Sequence, residues 1–357
     1  MEIRSFTLWT LLLTVASLVP RTALGRPIDL DRFPVCEASA AIEVPCVDDP
    51  QASCIWVGDN EQEDKIFEYA ADANGKLTPT QHFEIKLGNA EVGDIEALVQ
   101  DEQGLLVIGS HSRKNDCTQD TKHDRVAVAR VLRDPLRAEL VASGQGWEDR
   151  LTGCDSTWIK LADTQPGSVA APLRSAFCAV IAAAEKAADA VAGDKSQCAG
   201  DVMNVEGAVA VPDASGKPRI WLGLRAPLVG NRAVLLRVAP LGATKQRLTF
   251  DDIATIDLSG KGIRDLTISA GWIWGIAGCV PDCSEPSRLW RVQADALKSG
   301  AAITGVEFVK GGELPPSAEG LVIQSVAKRA IVLVDGDKGD ADGHCATAAQ
   351  QLTVPLP

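Results

Sequence analysis

The residues best suited to chemistry form a short polar segment, 109–114, that directly follows an apolar stretch. Within it, His111 can act as a general base, and Arg113 can bind a phosphate or carboxylate through two parallel hydrogen bonds. The alternative is a polar surface loop whose histidine titrates without consequence. The sequence contains no GxSxG, Walker or HExxH motif, so motifs assign no nucleophile or catalytic metal.

Acidic residues recur near the start of apolar stretches, at Glu96, Glu206, Asp265 and Glu319. Carboxylates that lie close together repel each other unless a cation or an arginine compensates their charge. Two arrangements stay open. Arginines could neutralise the carboxylates, with Arg113, Arg225 and Arg264 available for Glu96, Glu206 and Asp265. Alternatively, a hard cation such as calcium could bind among several carboxylates, which are its preferred ligands.

The densest cluster of oxygen ligands lies near the carboxyl end of the chain, at Asp335, Asp337, Asp340 and Asp342. This spacing does not match the calcium loop of an EF-hand, and the flanking sequence is not helical. The cluster is therefore a candidate calcium site, with an exposed acidic loop as the alternative.

An internal repeat would bring these scattered residues together. Each copy has a short apolar strand with a polar or acidic residue near its start, a turn, and a second apolar strand. The anchor residues are Ser39, Glu96, Glu206, Asp265 and Glu319, separated by 57, 110, 59 and 54 residues. The long interval holds either one blade with an insertion or two blades.

Such a repeat predicts an all-β fold, a β-propeller of five or six blades, rather than a sandwich or barrel. The first strand of each blade would line a central channel, so the anchors and the loops after the second strands would share one end, here called the near face. A helical insertion is expected at about 147–202, because 175–192 is rich in alanine. It could be a lid or a decoration on a degenerate blade.

The amino-terminal residues, 1–25, resemble a secretory signal peptide, with a membrane anchor as the less favoured alternative because the apolar run is short. The remaining residues, 26–357, would form a single propeller domain that is periplasmic or secreted, with no stable membrane insertion. The formal net charge is −13. This acidic balance argues against nucleic acid as a partner.

Ten cysteines in an exported chain indicate disulfides. Four pairings suggest themselves from the positions along the chain, although sequence does not fix connectivity: Cys46 with Cys54, Cys279 with Cys283, Cys178 with Cys198, and Cys36 with Cys345. Zinc at Cys279 and Cys283 is less favoured, because four ligands are usual.

Several motifs resemble an uncharacterised bacterial propeller-like family, family 3616 of the domains of unknown function. The matching segments are 94–98, 109–114, 204–207, 223–228, 262–266 and 318–321. The resemblance covers about residues 39 to 340 and implies a propeller without an established activity. The Glu-Gly pairs that open strands are loosely similar to those of the esterase-like phytase group of propellers, which does not transfer a phosphatase reaction.

Two functions are compatible with these residues. The first is a module that binds a small anionic ligand or a protein on the near face, with Arg113, Arg225, Arg264, Asp265 and Glu319 as ligand-binding residues. The second is a calcium-assisted hydrolase of phosphoesters or carboxylic esters, with His111, Glu96 and Glu206 as catalytic residues and calcium at the aspartate cluster.

Overall fold

The computed structural model describes residues 28–29, 35–88, 91–118, 128–133, 136–142, 170–198, 202–239, 250–281, 283–336, 345 and 347–357. Its strands form five sheets, antiparallel except for one short edge strand, which are the blades of a β-propeller. The signal peptide predicted at 1–25 lies outside the described residues.

The first two blades are each built from four consecutive strands. Blade 1 consists of β2 (Ala38–Pro45), β3 (Ser53–Asp59), β4 (Lys65–Ala71) and β5 (Leu77–Lys86). Blade 2 consists of β6 (Ile95–Gln100), β7 (Leu105–Gly109), β8 (Val128–Arg133) and β9 (Leu136–Ala142).

Blades 3 and 4 are also built from consecutive strands, with one exception. A short strand of blade 3 comes from the chain segment between the third and fourth strands of blade 4. Blade 3 consists of β10 (Asn204–Pro212), β11 (Pro218–Ala226), β12 (Ala233–Val238), β13 (Phe250–Ile256) and the parallel edge strand β17 (Ala302–Ile303). Blade 4 consists of β14 (Gly262–Ser269), β15 (Trp272–Gly278), β16 (Ser287–Gln293) and β18 (Glu307–Leu314).

Blade 5 joins the two ends of the chain. It consists of β19 (Ala318–Gln324), β20 (Arg329–Val334), β21 (Gln350–Pro355) and, at the outer edge, the amino-terminal strand β1 (Ile28–Asp29). The inner strands contact their neighbours around the ring in the order β2, β6, β10, β14, β19 and back to β2. The prediction of five or six blades is thus confirmed, and the described strands form five. The long interval between Glu96 and Glu206 contains one blade and the insertion that follows it.

Apolar side chains fill the spaces between adjacent blades, which explains why strands buried on both faces read as continuous apolar runs. Trp221 and Trp290 are buried between blades 3 and 4, and Trp56 is buried between blades 1 and 2. These tryptophans therefore pack the blades against each other.

The predicted helical insertion contains one described helix, α1 (Ala170–Ala190), which lies between blades 2 and 3 in sequence. Its Phe177 and Ile181 pack with residues of blade 3, such as Phe250 and Ile253. The apolar contacts fix α1 against the propeller. No described helix has the length and apolar character needed to cross a membrane.

Four disulfides join described residues, consistent with an oxidising environment. They are Cys36–Cys345, Cys46–Cys54, Cys117–Cys198 and Cys279–Cys283. The predicted Cys178–Cys198 pair is wrong, because Cys198 bonds to Cys117 and so ties the segment after α1 to the loop after β7. Cys178 is also disulfide-bonded.

Candidate functional site

A β-bulge interrupts the first strand of every blade at the same position. The residues passed over by the strand register are Ser39, Glu96, Glu206, Arg264 and Glu319, the last together with Gly320. A bulge leaves a residue unpaired in the ladder and re-aims its side chain. The repeat thus places one polar residue per blade at the same end of the channel.

Four of the five predicted anchors coincide with these bulges, and the fourth blade differs by one residue. There the bulge falls on Arg264, whereas sequence analysis aligned Asp265 with the acidic residues of other blades. Asp265 is 2% exposed and accepts hydrogen bonds from the backbone N–H groups of Leu266 and Leu321, both at 2.6 Å. It therefore holds two blades together, and the expected Arg–Asp265 pair is not formed in the described structure.

Four of the five polar bulged residues, all except Ser39, line a cavity of about 750 Å³ on the near face. Its lining includes most of the predicted site: Glu96, Glu206, Glu319, Arg113, Arg225, Arg264 and Asp335. The loops after the second strands, which were expected at this end, also contribute to the lining, for example with Asn60, Ser112 and Lys114. The near face therefore gathers residues that are as much as 298 positions apart in sequence, from Glu37 to Asp335.

The opposite end of the channel opens into a cavity of about 580 Å³. The inner strands line it, and its charged side chains among the described residues are Glu43 and Arg329. Arg329 donates to Gln324 and to the carbonyl oxygen of Ala73. The concentration of charge makes the near face the better candidate site.

Two arginines hold Glu206 at the centre of the near face. Arg225 donates to Glu206 at 2.9 Å, and the Nε of Arg264 lies 3.5 Å from the other carboxylate oxygen. Arg264 also donates a short hydrogen bond to Glu319 of blade 5. Arg264 thus bridges carboxylates from two other blades, and the expectation of Arg–carboxylate pairing is confirmed for Arg225 with Glu206.

The carboxyl group of Glu96 is in a different setting. It is 7% exposed, lines the cavity, and makes no side-chain hydrogen bond or ion pair in the described structure. Burial, followed by the charges of Asp94, Glu319 and Glu206, raises the pKa of Glu96 well above its usual range, against a smaller lowering by Arg264. Glu96 therefore retains its proton more strongly than an ordinary glutamate.

Other unsatisfied acceptors share the cavity with Glu96. The side-chain oxygens Oδ1 of Asn60, Asn204 and Asp335 are buried and have no hydrogen-bond partner among the described residues. The orientation of Asn204 is set by its Nδ2, which donates to Glu206 at 2.7 Å. Burial, together with Glu319 and Glu37, raises the pKa of Asp335 to about 9. Residues that line the cavity therefore carry oxygen acceptors without an N–H or O–H donor among the described residues.

Two predicted residues differ from expectation: Arg113 lines the cavity but has other ionic partners, and His111 lies outside the lining. Arg113 reaches the helix instead of Glu96, with its Nη2 2.5 Å from Glu185 and 2.6 Å from Asp189. His111 is 2% exposed, has a left-handed backbone conformation with a φ of 59°, and is not among the residues that line the cavity. The predicted metal ligands Asp337, Asp340 and Asp342 lie outside the described residues.

Sequence reasoning missed three charged residues of the lining: Glu37, Asp94 and Lys195. Asp94 accepts hydrogen bonds from Ser110 and Ser112, which fix the loop after β7 against the start of β6. Its position directly before an apolar strand was visible in the repeat, but its role as a lining residue depends on the bulge at Glu96. Lys195 carries no repeat signal, because it follows the inserted helix.

Within the described ranges, one set of three potential metal-ligating side chains has ligand atoms within 4.8 Å of one another, namely Cys279, Cys283 and Glu285. The two cysteines form a disulfide, so their sulfur atoms are not available as thiolate ligands. The carboxylates of the near face are more widely spread.

Comparison with protein families gives a match in the carboxyl-terminal part of the chain. Residues 197–338 match a family model described as "Protein of unknown function (DUF3616)". This match confirms the resemblance drawn from the strand-opening motifs. The comparison with curated proteins gives no match.

The solved structures that match this chain share little sequence with it. Hydrazine synthase from Kuenenia stuttgartiensis is 11% identical with a TM-score of 0.34, and the match covers 85% of this chain but only 57% of that one. A hypothetical protein from Leishmania major is 11% identical with a TM-score of 0.41, covering 90% of this chain and 86% of that one. Regucalcin, a calcium-binding protein from Agrobacterium tumefaciens, is 10% identical with a TM-score of 0.36, covering 92% and 94%.

Proposed function

We propose that the protein is a binding module whose near-face cavity takes a small ligand with a positively charged, N–H-donating group, such as a primary ammonium. The observation that carries the proposal is the Glu96 carboxyl group, which is buried against the cavity without a hydrogen-bonding or ionic partner in the described structure. A buried polar group of this kind is costly unless a partner satisfies it.

The neighbouring acceptors specify the kind of cation. Asn60, Asn204 and Asp335 line the same cavity, and their buried Oδ1 atoms lack donors among the described residues. A primary ammonium brings three N–H donors and one positive charge, so it offers donors to other acceptors of the lining besides Glu96. A volume of about 750 Å³ is in the range of small-molecule sites.

An anionic ligand has less support. That expectation was based on Arg113, Arg225 and Arg264, and each of these guanidinium groups lies in an ion pair with a carboxylate. An anion would have to compete with those carboxylates for the arginines. A cation would instead meet the Glu96 carboxyl group, which has no ionic partner in the described structure.

Isothermal titration of the purified protein with propylammonium, tetramethylammonium and calcium chloride tests the proposal. We expect propylammonium to bind better than tetramethylammonium, which has no N–H donor, and binding to strengthen as pH rises because Glu96 must lose its proton. Glu96→Gln should weaken propylammonium binding by about tenfold or more, since hydrogen bonds to charged groups contribute about 1.5–3 kcal/mol.

The matched control is Glu102→Gln, an exposed glutamate in the turn between β6 and β7 of the same blade. It should leave binding unchanged. Equal weakening by both variants, or binding of neither ammonium ion, would refute the proposal. Preferential binding of calcium would instead favour a metal site at the near face.

A hydrolase is the second candidate because two carboxyl groups of this cavity differ in setting. Glu96 has no cation in contact, whereas Glu206 lies between Arg225 and Arg264. Carboxyl groups in such contrasting surroundings can serve as proton donor and charged partner in hydrolysis. Turnover of a phosphoester or carboxylic ester that is lost in Glu96→Gln, but kept in Glu102→Gln, would support this function.

A further inference from the structure

An apolar groove adjoins the near-face cavity along helix α1. It has a volume of about 510 Å³, and its lining is apolar apart from Gln197 and the disulfide-bonded Cys117. Residues of α1 form one wall, and the loops after β11 and β15 form the other; the main contributors are Val180, Ala184, Ala187, Val191, Leu228 and Val280.

The groove and the cavity share a border. Val202 lines both of them, and the Cys117–Cys198 disulfide has one cysteine in each lining. A molecule held at Glu96 could therefore extend past Val202 into the groove without leaving the protein surface. Burial of an apolar chain there would add affinity in proportion to the area removed from water.

Two lysines of the cavity lining are close in sequence to this disulfide. Lys114 precedes Cys117 by three residues, and its carbonyl oxygen accepts a hydrogen bond from the N–H of Cys117 at 2.8 Å. Lys195 precedes Cys198 in the turn after α1, and both lysines line the cavity. Each cysteine of the disulfide shared with the groove therefore has a lysine of the cavity lining close to it in sequence.

We infer that the ligand is a zwitterionic amphiphile, with a primary ammonium at Glu96, an anionic group at Lys114 and Lys195, and an apolar chain in the groove beside α1. This inference rests on the proposed function, because it uses the same ammonium site. The inference adds two further parts of the ligand, an anionic group and an apolar chain, which the proposed function does not include. A single dissolved amphiphile is meant, since the groove borders the cavity that holds the ammonium site.

The probes are alkyl phosphoethanolamines with ethyl, hexyl and decyl chains, each titrated below the concentration at which it forms micelles. Affinity should rise with chain length by about three- to fourfold for each methylene that enters the groove, as expected for burial of a methylene. Propylammonium serves as the reference for the ammonium site alone.

Substitutions on α1 separate the groove from the rest of the surface. Ala187→Phe should fill the groove and abolish most of the gain with chain length, while binding of propylammonium remains. Ala190→Phe is the matched control, because Ala190 is equally exposed on α1 but does not line the groove. Lys195→Gln should weaken the phosphoethanolamines severalfold and propylammonium not at all, with Lys186→Gln as its control.

The outcomes distinguish this inference from the proposed function. If propylammonium binds through Glu96 but affinity does not depend on chain length, the inference fails and the proposed function stands. Occupation of the groove by another part of this chain would give that result. If Ala187→Phe and Ala190→Phe reduce the gain equally, the chain does not occupy this groove. If no probe with an ammonium group binds, both fail.

Discussion

Arg113 and Glu185 form a buried ion pair that fastens the inserted helix to the rim of the near-face cavity. The Nε and Nη2 atoms of Arg113 lie 3.0 and 2.5 Å from Oε2 of Glu185, and the two side chains are 3% and 1% exposed. Arg113 also donates to the carbonyl oxygen of Cys117, which is disulfide-bonded to the segment after α1. Helix and rim are therefore joined by a charge pair and a covalent bond.

Removal of the charge at Glu185 should loosen this attachment. We expect Glu185→Gln to destabilise the protein by about 1–3 kcal/mol, because it leaves the Arg113 guanidinium with the half-exposed Asp189 as its remaining carboxylate partner. Amide hydrogen exchange should accelerate in α1 more than in the blades. The control is Asp189→Asn, since Asp189 also contacts Arg113 but its side chain is 42% exposed. Equal effects of the two substitutions would contradict the role of burial.

The bridge made by Arg264 gives a second prediction. Arg264→Leu would leave Glu206 and Glu319, both largely buried, without the guanidinium that joins blades 3, 4 and 5. Loss of about 3–5 kcal/mol in the free energy of unfolding is expected from urea titration. Lys86→Met removes the exposed Lys86–Glu84 pair and should change stability by less than about 1 kcal/mol.

These two arginines also show what the sequence could and could not predict. The apolar pairs of strands and their spacing predict the propeller, because they follow from a period that any blade must have. The position of Arg264 in the ring depends on a β-bulge, which shifts the register by one residue and leaves no mark in composition. The Arg113–Glu185 contact spans 72 residues and an insertion outside the repeat, so no periodicity could reveal it.

The raised pKa of Glu96 predicts that this residue costs stability at neutral pH. A carboxyl group whose pKa is higher in the folded protein keeps its proton there while the unfolded chain loses it, so stability falls as pH rises above the unfolded value. Glu96→Gln should therefore raise the free energy of unfolding at pH 7 by about 1–3 kcal/mol, the range for relief of an unsatisfied buried group. The gain should vanish below about pH 4, where both states are protonated.

Melting curves of the wild-type protein and of Glu96→Gln between pH 3.5 and 8 provide this measurement, at pH values chosen to bracket the ordinary range of glutamate. Glu102→Gln, which is exposed, should follow the wild-type curve. A loss of stability in Glu96→Gln at pH 7 would show that Glu96 has a structural partner, and would count against its availability to a ligand.

Asp59 should make the stability of the folded protein depend on pH, because its pKa is raised to about 6. It is fully buried and accepts backbone hydrogen bonds from Cys36 at 2.8 Å and Glu61 at 2.9 Å, yet burial outweighs these bonds and raises its pKa to about 6. Stability from this group is complete below about pH 4 and is lost as pH rises to about 6. The full change corresponds to about 2–3 kcal/mol.

Asp59→Asn should flatten that slope, since an amide keeps an acceptor oxygen but does not titrate in this range. The measurement is the difference in free energy of unfolding between variant and wild type at intervals from pH 4 to pH 7, values that enclose the shifted pKa. Asp72→Asn is the control, because Asp72 is exposed in a turn and its pKa is lowered by a hydrogen bond from Lys76. An unchanged slope in Asp59→Asn would assign the pH dependence to other carboxyl groups.

The Cys36–Cys345 disulfide should stabilise the protein more than any short-range disulfide, because it closes the ring of blades. It joins residues 309 positions apart, beside backbone hydrogen bonds from Gly336 to Cys36 and from Ala349 to Val35. The chain-entropy model assigns about 5–6 kcal/mol to a loop of this length and about 2.5 kcal/mol to the eight-residue separation of Cys46–Cys54.

Two double variants compare these contributions directly. Cys36→Ala with Cys345→Ala should lower the free energy of unfolding by about 3 kcal/mol more than Cys46→Ala with Cys54→Ala. Urea titration measures both, and proteolysis should cut near the chain ends first in the former variant, because blade 5 receives its outer strand β1 from the amino terminus. If the two variants lose equal stability, apolar packing and strand pairing close the ring without the disulfide, since β1 pairs with β21 and β2 contacts β19 in any case.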